Sequence, residues 1–167
     1  MISSSEMEAI VTKAVKLAFD NHSSVKLSEG FVSSEPNLGS LDKALGAKLI
    51  LKCLDSCYEL LLFIPVTFAI KVVSDTLIEL FDEDDPEVYE SVGEFLNIIS
   101  GIICKDINTQ SRHKFELQCP TLFPRLTKID VSLLNCARAF HFNSDLGPFL
   151  FAYKHCEIQE SAYESRN

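Results

Sequence analysis

The chain has 167 residues, 47% of them hydrophobic, and its 24 acidic against 15 basic residues give a formal charge of −9. That supplies enough apolar material for one domain with its own core and excludes a disordered chain. No basic stripe of the kind a nucleic-acid binder carries is present, and the acidic balance disfavours anionic membrane surfaces; a partner with a basic rim fits instead.

The first helix is expected over residues 3–21, capped by Ser4 or Ser5, with Ile10, Ala14, Leu17 and Ala18 recurring at the helical period. Residues 25–32 read as a strand, and 33–40, with Pro36 and Gly39, as a turn or loop. Two apolar runs, 45–54 and 57–64, are joined by Asp55-Ser56 and read as a β-hairpin. Pro65 starts a helix to about residue 81, with Phe68, Val72 and Val73 on one side. The acidic run DEDDP ends that helix and starts the next, because Pro86 suits a first helical turn and acids suit the positive helix end.

The second long helix is expected over 86–105. A strand over 114–118 stops at Cys119-Pro120, and Pro124 keeps the following segment irregular. A second hairpin, 134–142 with 149–156, flanks the turn-forming residues Asn143 to Pro148. The domain is expected to span 1–158 and a polar tail 159–167. The order helix, strand, hairpin thus occurs twice, and Phe31-x-x-x-x-Pro36 and Phe115-x-x-x-x-Pro120 precede the two hairpins alike. The expected fold class is α+β, two pseudo-repeated halves forming one sheet packed by long helices.

No stretch approaches the ~18 uncharged apolar residues a membrane span needs. The longest apolar run, 60–70, is broken by Pro65 and followed by Lys71. The N-terminus, MISSSEMEAI, lacks the basic and apolar regions of a secretory signal. A cytoplasmic protein is expected. The six cysteines form no CxxC pair and match no zinc spacing, so reduced thiols among apolar neighbours are expected, and no metal of the chain's own.

Residues 90–101, ESVGEFLNIISG, carry the chemistry. Val88, Val92, Phe95, Leu96, Ile99, Ile102 and Ile103 form one apolar stripe on the helix, and Glu90, Glu94, Asn97 and Gly101 fall on the opposite side. A carboxylate and a carboxamide at i, i+3 project side by side and can hold a cation and a water, enough to hydrolyse a reactive phosphate. The bland reading of the same face is a solvated helix surface, since Glu-x-x-Asn alone is common. Gly101 leaves room for another backbone beside Asn97, or is simply tolerated.

The longer string resembles the signature of the CheX-like (CheX/CheC-type) chemotaxis phosphatases: Asp or Ser, three residues, Glu, two residues, Asn, and a Gly four residues on. Glu94, Asn97 and Gly101 occupy those positions, and Cys119-Pro120-Thr121 matches the family's Pro-Thr after a strand. Glu90 stands where the family has Asp or Ser. The first helix offers Glu6-x-x-Ala9 and Glu8-x-x-Val11 but no matching Asn, so one site is expected, as in CheX.

The resemblance implies a phosphatase acting on the aspartyl phosphate of a CheY-type response regulator. Asn97 would orient the attacking water, Glu94 would pair with the regulator's lysine, and Glu90 and Gly101 would lie in the docking face. Mg would be held by the regulator, and a homodimer through sheet edges would be formed, for which the Phe-rich late strands offer an edge. Two other classes remain open. One is a non-catalytic regulator-binding or dimerisation module on the same fold. The other is cysteine–histidine catalysis, for which His155-Cys156 is the nearest pair, while His22, His113 and His141 read as solvated or structural.

Overall fold

The computed structural model describes residues 2–33, 44–54, 56–112, 114–126 and 131–157. Among these the chain order is α1 (Ser4–His22), β1 (Leu27–Ser33), β2 (Ala44–Lys52), β3 (Ser56–Pro65), α2 (Val66–Leu77), α3 (Pro86–Gln110), β4 (Glu116–Leu117), β5 (Thr121–Leu126), a 3-10 turn (Val131–Leu134), β6 (Arg138–Ser144) and β7 (Gly147–Glu157). The strands form one antiparallel sheet ordered β1-β6-β7-β3-β2-β4, with β5 also paired to β2.

That order reads the same from either end when β1 is exchanged with β5, β2 with β6 and β3 with β7. The expected pseudo-repeat is therefore built into the sheet, and the two halves interleave: they meet at the central β3–β7 pair and again at β1–β6 and β2–β5. The expected 33–40 loop and the 159–167 tail lie largely or wholly outside the described residues.

Helices α1, α2 and α3 pack on one face of the sheet. Their apolar stripes and the inward side chains of the strands make the main core, with Phe19, Phe68, Phe95 and Phe149 at its centre. Phe19 stacks on Phe149 at 4.9 Å and meets Phe95 edge-on at 5.0 Å. On the opposite face Ala44, Leu61, Phe63, Ala139, Leu150 and Ala152 are covered by Leu134 and Ala137.

Several local expectations change. Ser3, not Ser4 or Ser5, caps α1. Its hydroxyl accepts from the Glu6 N–H at 3.3 Å, and the Ser3 N–H donates to the Glu6 carboxylate at 2.8 Å. Ser4 has Met7 three residues on, whereas Ser3 and Ser5 have acids there, Glu6 and Glu8; the reciprocal box forms at Ser3 with Glu6. These bonds hold the Glu6 carboxyl below its ordinary value. Leu17 is 37% exposed; the buried stripe runs through Met7, Ile10, Val11, Ala14, Val15, Ala18 and Phe19.

Helix α2 ends at Leu77, before the acidic run, because Ile78 turns left-handed (φ 58°) and its N–H closes on the Ser74 carbonyl at 2.9 Å. Helix α3 does begin with Pro86 in its first turn but continues to Gln110. The strand expected over 114–118 shrinks to β4, although the Gln118 N–H still bonds the Ile50 carbonyl.

Pro124 does not leave its segment irregular; it lies within β5. β5 pairs only with β2, and the register shifts between Phe123 and Leu126. A missing N–H is tolerated on an edge strand and at a register irregularity. The last hairpin is tighter than expected: the ladder runs to Ser144 opposite Gly147, leaving Asp145-Leu146 as the turn, and 131–134 is 3-10 helix. β6 and β7 are both interior strands, flanked by β1 and β3, so their many Phe residues build core and offer no edge.

Candidate active site

The site is built on the middle of α3. Val88, Val92, Phe95, Leu96, Ile99 and Ile103 are buried as the stripe requires, and Ile102 is half-buried. Glu90, Glu94 and Asn97 are exposed on the other side and Gly101 is half-buried. The anchoring is strong because Phe95, the neighbour of Glu94, sits among Phe19 and Phe68. The two polar side chains therefore project from a helix whose rotation is fixed by its core face.

Gly93 fixes the flank of this ridge, a role that the sequence reading did not assign. A Cβ there would lie 2.8 Å from Leu122 Cδ2 and 3.6 Å from Pro120 Cβ, so α3 crosses the start of β5 at close range. Asn97 lies four residues after Gly93, which places it toward this flank. The structure thus brings Pro120-Thr121, the second matching motif, alongside the first. Gly101 differs: a Cβ there would meet nothing within 4 Å, so the space beside Asn97 is open.

The other flank is a groove of about 340 Å³ between α2 and α3. Val72, Val73, Leu77, Phe95 and Ile98 make it apolar, Glu87, Glu90 and Glu94 line it with acid, and His22 reaches it from the end of α1. Leu77 and Ile78 beside it are 51% and 90% exposed. Among the described residues no Lys or Arg pairs with Glu87, Glu90 or Glu94. The nearest ordered ion pairs lie elsewhere, Lys13 with Asp106 at 2.7 Å and Lys71 with Asp75 one turn on along α2. Lys71 and Ser24 hold the Asp75 carboxyl below its ordinary range.

Among the described residues, neither the Glu94 carboxylate nor the Asn97 amide is engaged by another side chain of the chain. Such a pair can accept from a cation and can hold a water through donor and acceptor together. Among the described residues the histidines and cysteines form no comparable site on this ridge. His155 packs on Tyr58 at 5.0 Å, and no group of three or more His, Cys, Asp or Glu among the described residues can hold a metal ion. No helix among them is long and apolar enough to cross a membrane.

Comparison of the whole chain with solved structures decides the architecture. The chemotaxis protein CheX from Vibrio vulnificus superposes with a TM-score of 0.71 at 12% identity, covering 90% of this chain and 99% of that one.

The fold is the CheC/CheX fold.

A CheC-like superfamily protein from Shewanella sp. PV-4 gives a TM-score of 0.70 at 12% identity over 90% of this chain and 97% of its own. A chain of the CheX-CheY-BeF3-Mg complex from Borrelia burgdorferi gives 0.70 at 16% identity over 92% and 98%. No protein-family model and no curated protein sequence matches the chain. The CheC/CheX fold in this chain therefore stands on the arrangement of its elements, with Glu94 and Asn97 on the exposed ridge of its long third helix.

Proposed function

We propose that this protein is a phosphatase that hydrolyses the aspartyl phosphate of a CheY-type response regulator. The observation that carries the reading is the Glu94–Asn97 pair, exposed and internally unengaged on a rigid helix of a CheX-like fold. One of the neighbours of the same fold is in complex with CheY, BeF3 and Mg, which supports a receiver domain as partner.

An acyl phosphate is already activated, so placing a water in line with phosphorus supplies much of the rate. Asn97 cannot serve as a base, because its amide does not titrate near neutrality. It orients the water by donating from Nδ2 and accepting at Oδ1. Glu94 accepts a charge-assisted hydrogen bond from the regulator's lysine and so fixes the docking register. Mg belongs to the regulator, where it balances the phosphoryl charge; this chain contributes no metal ligand. The reaction is placed in the cytoplasm, where receiver domains are found.

Replacing Asn97 with Ala should lower phosphate release from the phosphorylated regulator by roughly a hundredfold, the usual cost of removing one group that positions reacting atoms. Its stability should stay within about 0.5 kcal/mol of wild type, because the side chain is exposed. Wild-type release rates in a folded Asn97→Ala protein would reject the reading.

A second reading, docking without hydrolysis, is favoured by one feature. Glu90 stands where the resembling family has Asp or Ser, and with Glu87 and Glu94 it lines an apolar groove suited to binding. Tight binding of the phosphorylated regulator with no gain in phosphate release would select it. A homodimer through a sheet edge is also part of this proposal, and the edges available are β1 and β4–β5. Sedimentation as a monomer at micromolar concentration would remove that part.

A further inference from the structure

On the sheet face turned away from the helices, β3 and β7 present Cys57 and Cys156 at directly opposed positions. Strand alternation sets the face. Tyr58, Leu60 and Leu62 point into the helix-side core, and Leu61 and Phe63 point the other way with Cys57. On β7, Tyr153 is on the helix side and Leu150 and Ala152 on the far side, so Cys156 joins Cys57.

Opposed residues of an antiparallel pair have Cα atoms ~4.5 or ~5.5 Å apart, and both values fall in the ~4.4–6.8 Å span of a disulfide. The two thiols are free and half-buried. Burial raises the Cys57 thiol above its ordinary value, which disfavours it as the first attacking thiolate and assigns it the second, resolving step. The next rung on the same face is Glu59 opposite Lys154, ion-paired at 2.8 Å, which holds the strands in register beside the sulfurs. The pair takes no part in the α3 ridge.

We infer that Cys57 and Cys156 are a redox-active dithiol that peroxides convert to an intramolecular disulfide. One thiolate attacks the peroxide O–O bond, becoming a sulfenic acid as hydroxide leaves and takes up a proton. The second sulfur then attacks the sulfenic sulfur, the S–O bond breaks and water departs. In sum two thiols and one hydrogen peroxide give one disulfide and two waters, the sulfurs being oxidised and the peroxide reduced. The new bond crosses β3–β7, the central pairing between the two pseudo-repeats, and closes residues 57 to 156 into one loop. A small dithiol reverses it by exchange.

The test is peroxide treatment of the reduced full-length chain followed by peptide mass mapping without reduction. The expected product is a cross-linked peptide containing Cys57 and Cys156, two hydrogens lighter than its parts. It should form in Cys119→Ser and Cys136→Ser proteins and be absent in Cys57→Ser and Cys156→Ser. The oxidised wild type should melt roughly 5 °C or more higher, and dithiothreitol should abolish the rise. Cys136 is the discriminating control, since it and Lys154 line the same pocket. A cross-link to Cys136, sulfinic acid in place of a cross-link, or unreacted thiols would each overturn the assignment, and mapping of the wild type decides this even if a serine variant misfolds.

Discussion

At Ile78 the backbone turns left-handed to end α2, with φ of 58° and a side chain 90% exposed. An L-residue with a branched Cβ is held there at a cost of ~1 kcal/mol or more, and glycine is the usual occupant of such a terminus. Ile78→Gly should therefore raise stability by about 0.5 kcal/mol after the larger unfolded-state entropy of glycine is subtracted. A thermal midpoint higher by roughly 1–2 °C would show it, and a fall would contradict it. His141 on β6 works in the other direction. Burial lowers its pKa below the ordinary 6.5, so the unfolded chain takes up a proton at a higher pH than the folded chain does. Its contribution is complete above about pH 6.5 and is lost as pH falls through that value toward the folded one. Urea midpoints measured from pH 7.5 to 5 should decline less steeply in His141→Gln than in wild type; parallel curves would refute the assignment.

Helix α3 links the core to the ridge. Phe95 meets Phe19 at 5.0 Å and Phe68 at 5.9 Å, while Glu94 beside it faces solvent. Phe95→Ala should cost about 3–5 kcal/mol, read as a fall in urea midpoint, whereas Asn97→Ala two positions on should cost almost nothing. This division was legible in the sequence, because a 3.6-residue period states directly which side of a helix is buried. The flank of the ridge was not. Gly93 carries no local signal, since its reason is Leu122, nearly thirty positions on and invisible to local pattern. Pro124 misled for a related cause: it breaks an interior strand, and only the sheet order shows that β5 lies at an edge. The apolar period likewise ran past Leu77 to residue 81, with nothing in it to announce the left-handed turn at Ile78. The groove beside Glu94 also needed two helices to be placed before it existed.

Taken whole, the molecule interleaves two like halves in one sheet, where they share the β1–β6, β3–β7, β2–β4 and β2–β5 pairs, and the link between them, from Ile78 to Asp85, is outside helix and strand and mostly exposed. The first half holds α1, β1–β3 and α2, the second α3 and β4–β7, and apart from the two-residue β4 the sheet order is unchanged by exchanging the halves. Continuity of the chain at residues 82–84 should therefore matter little to the folded state. A protease specific for acidic residues should nick this link first, and the two fragments should still co-migrate in gel filtration until denaturant is added. Separation of the fragments in native buffer would show that the connection itself holds the halves together. If they stay joined, the gene can be divided at this point into two open reading frames whose products reassemble, and a reporter of proximity can be built from a fold that normally travels as one piece.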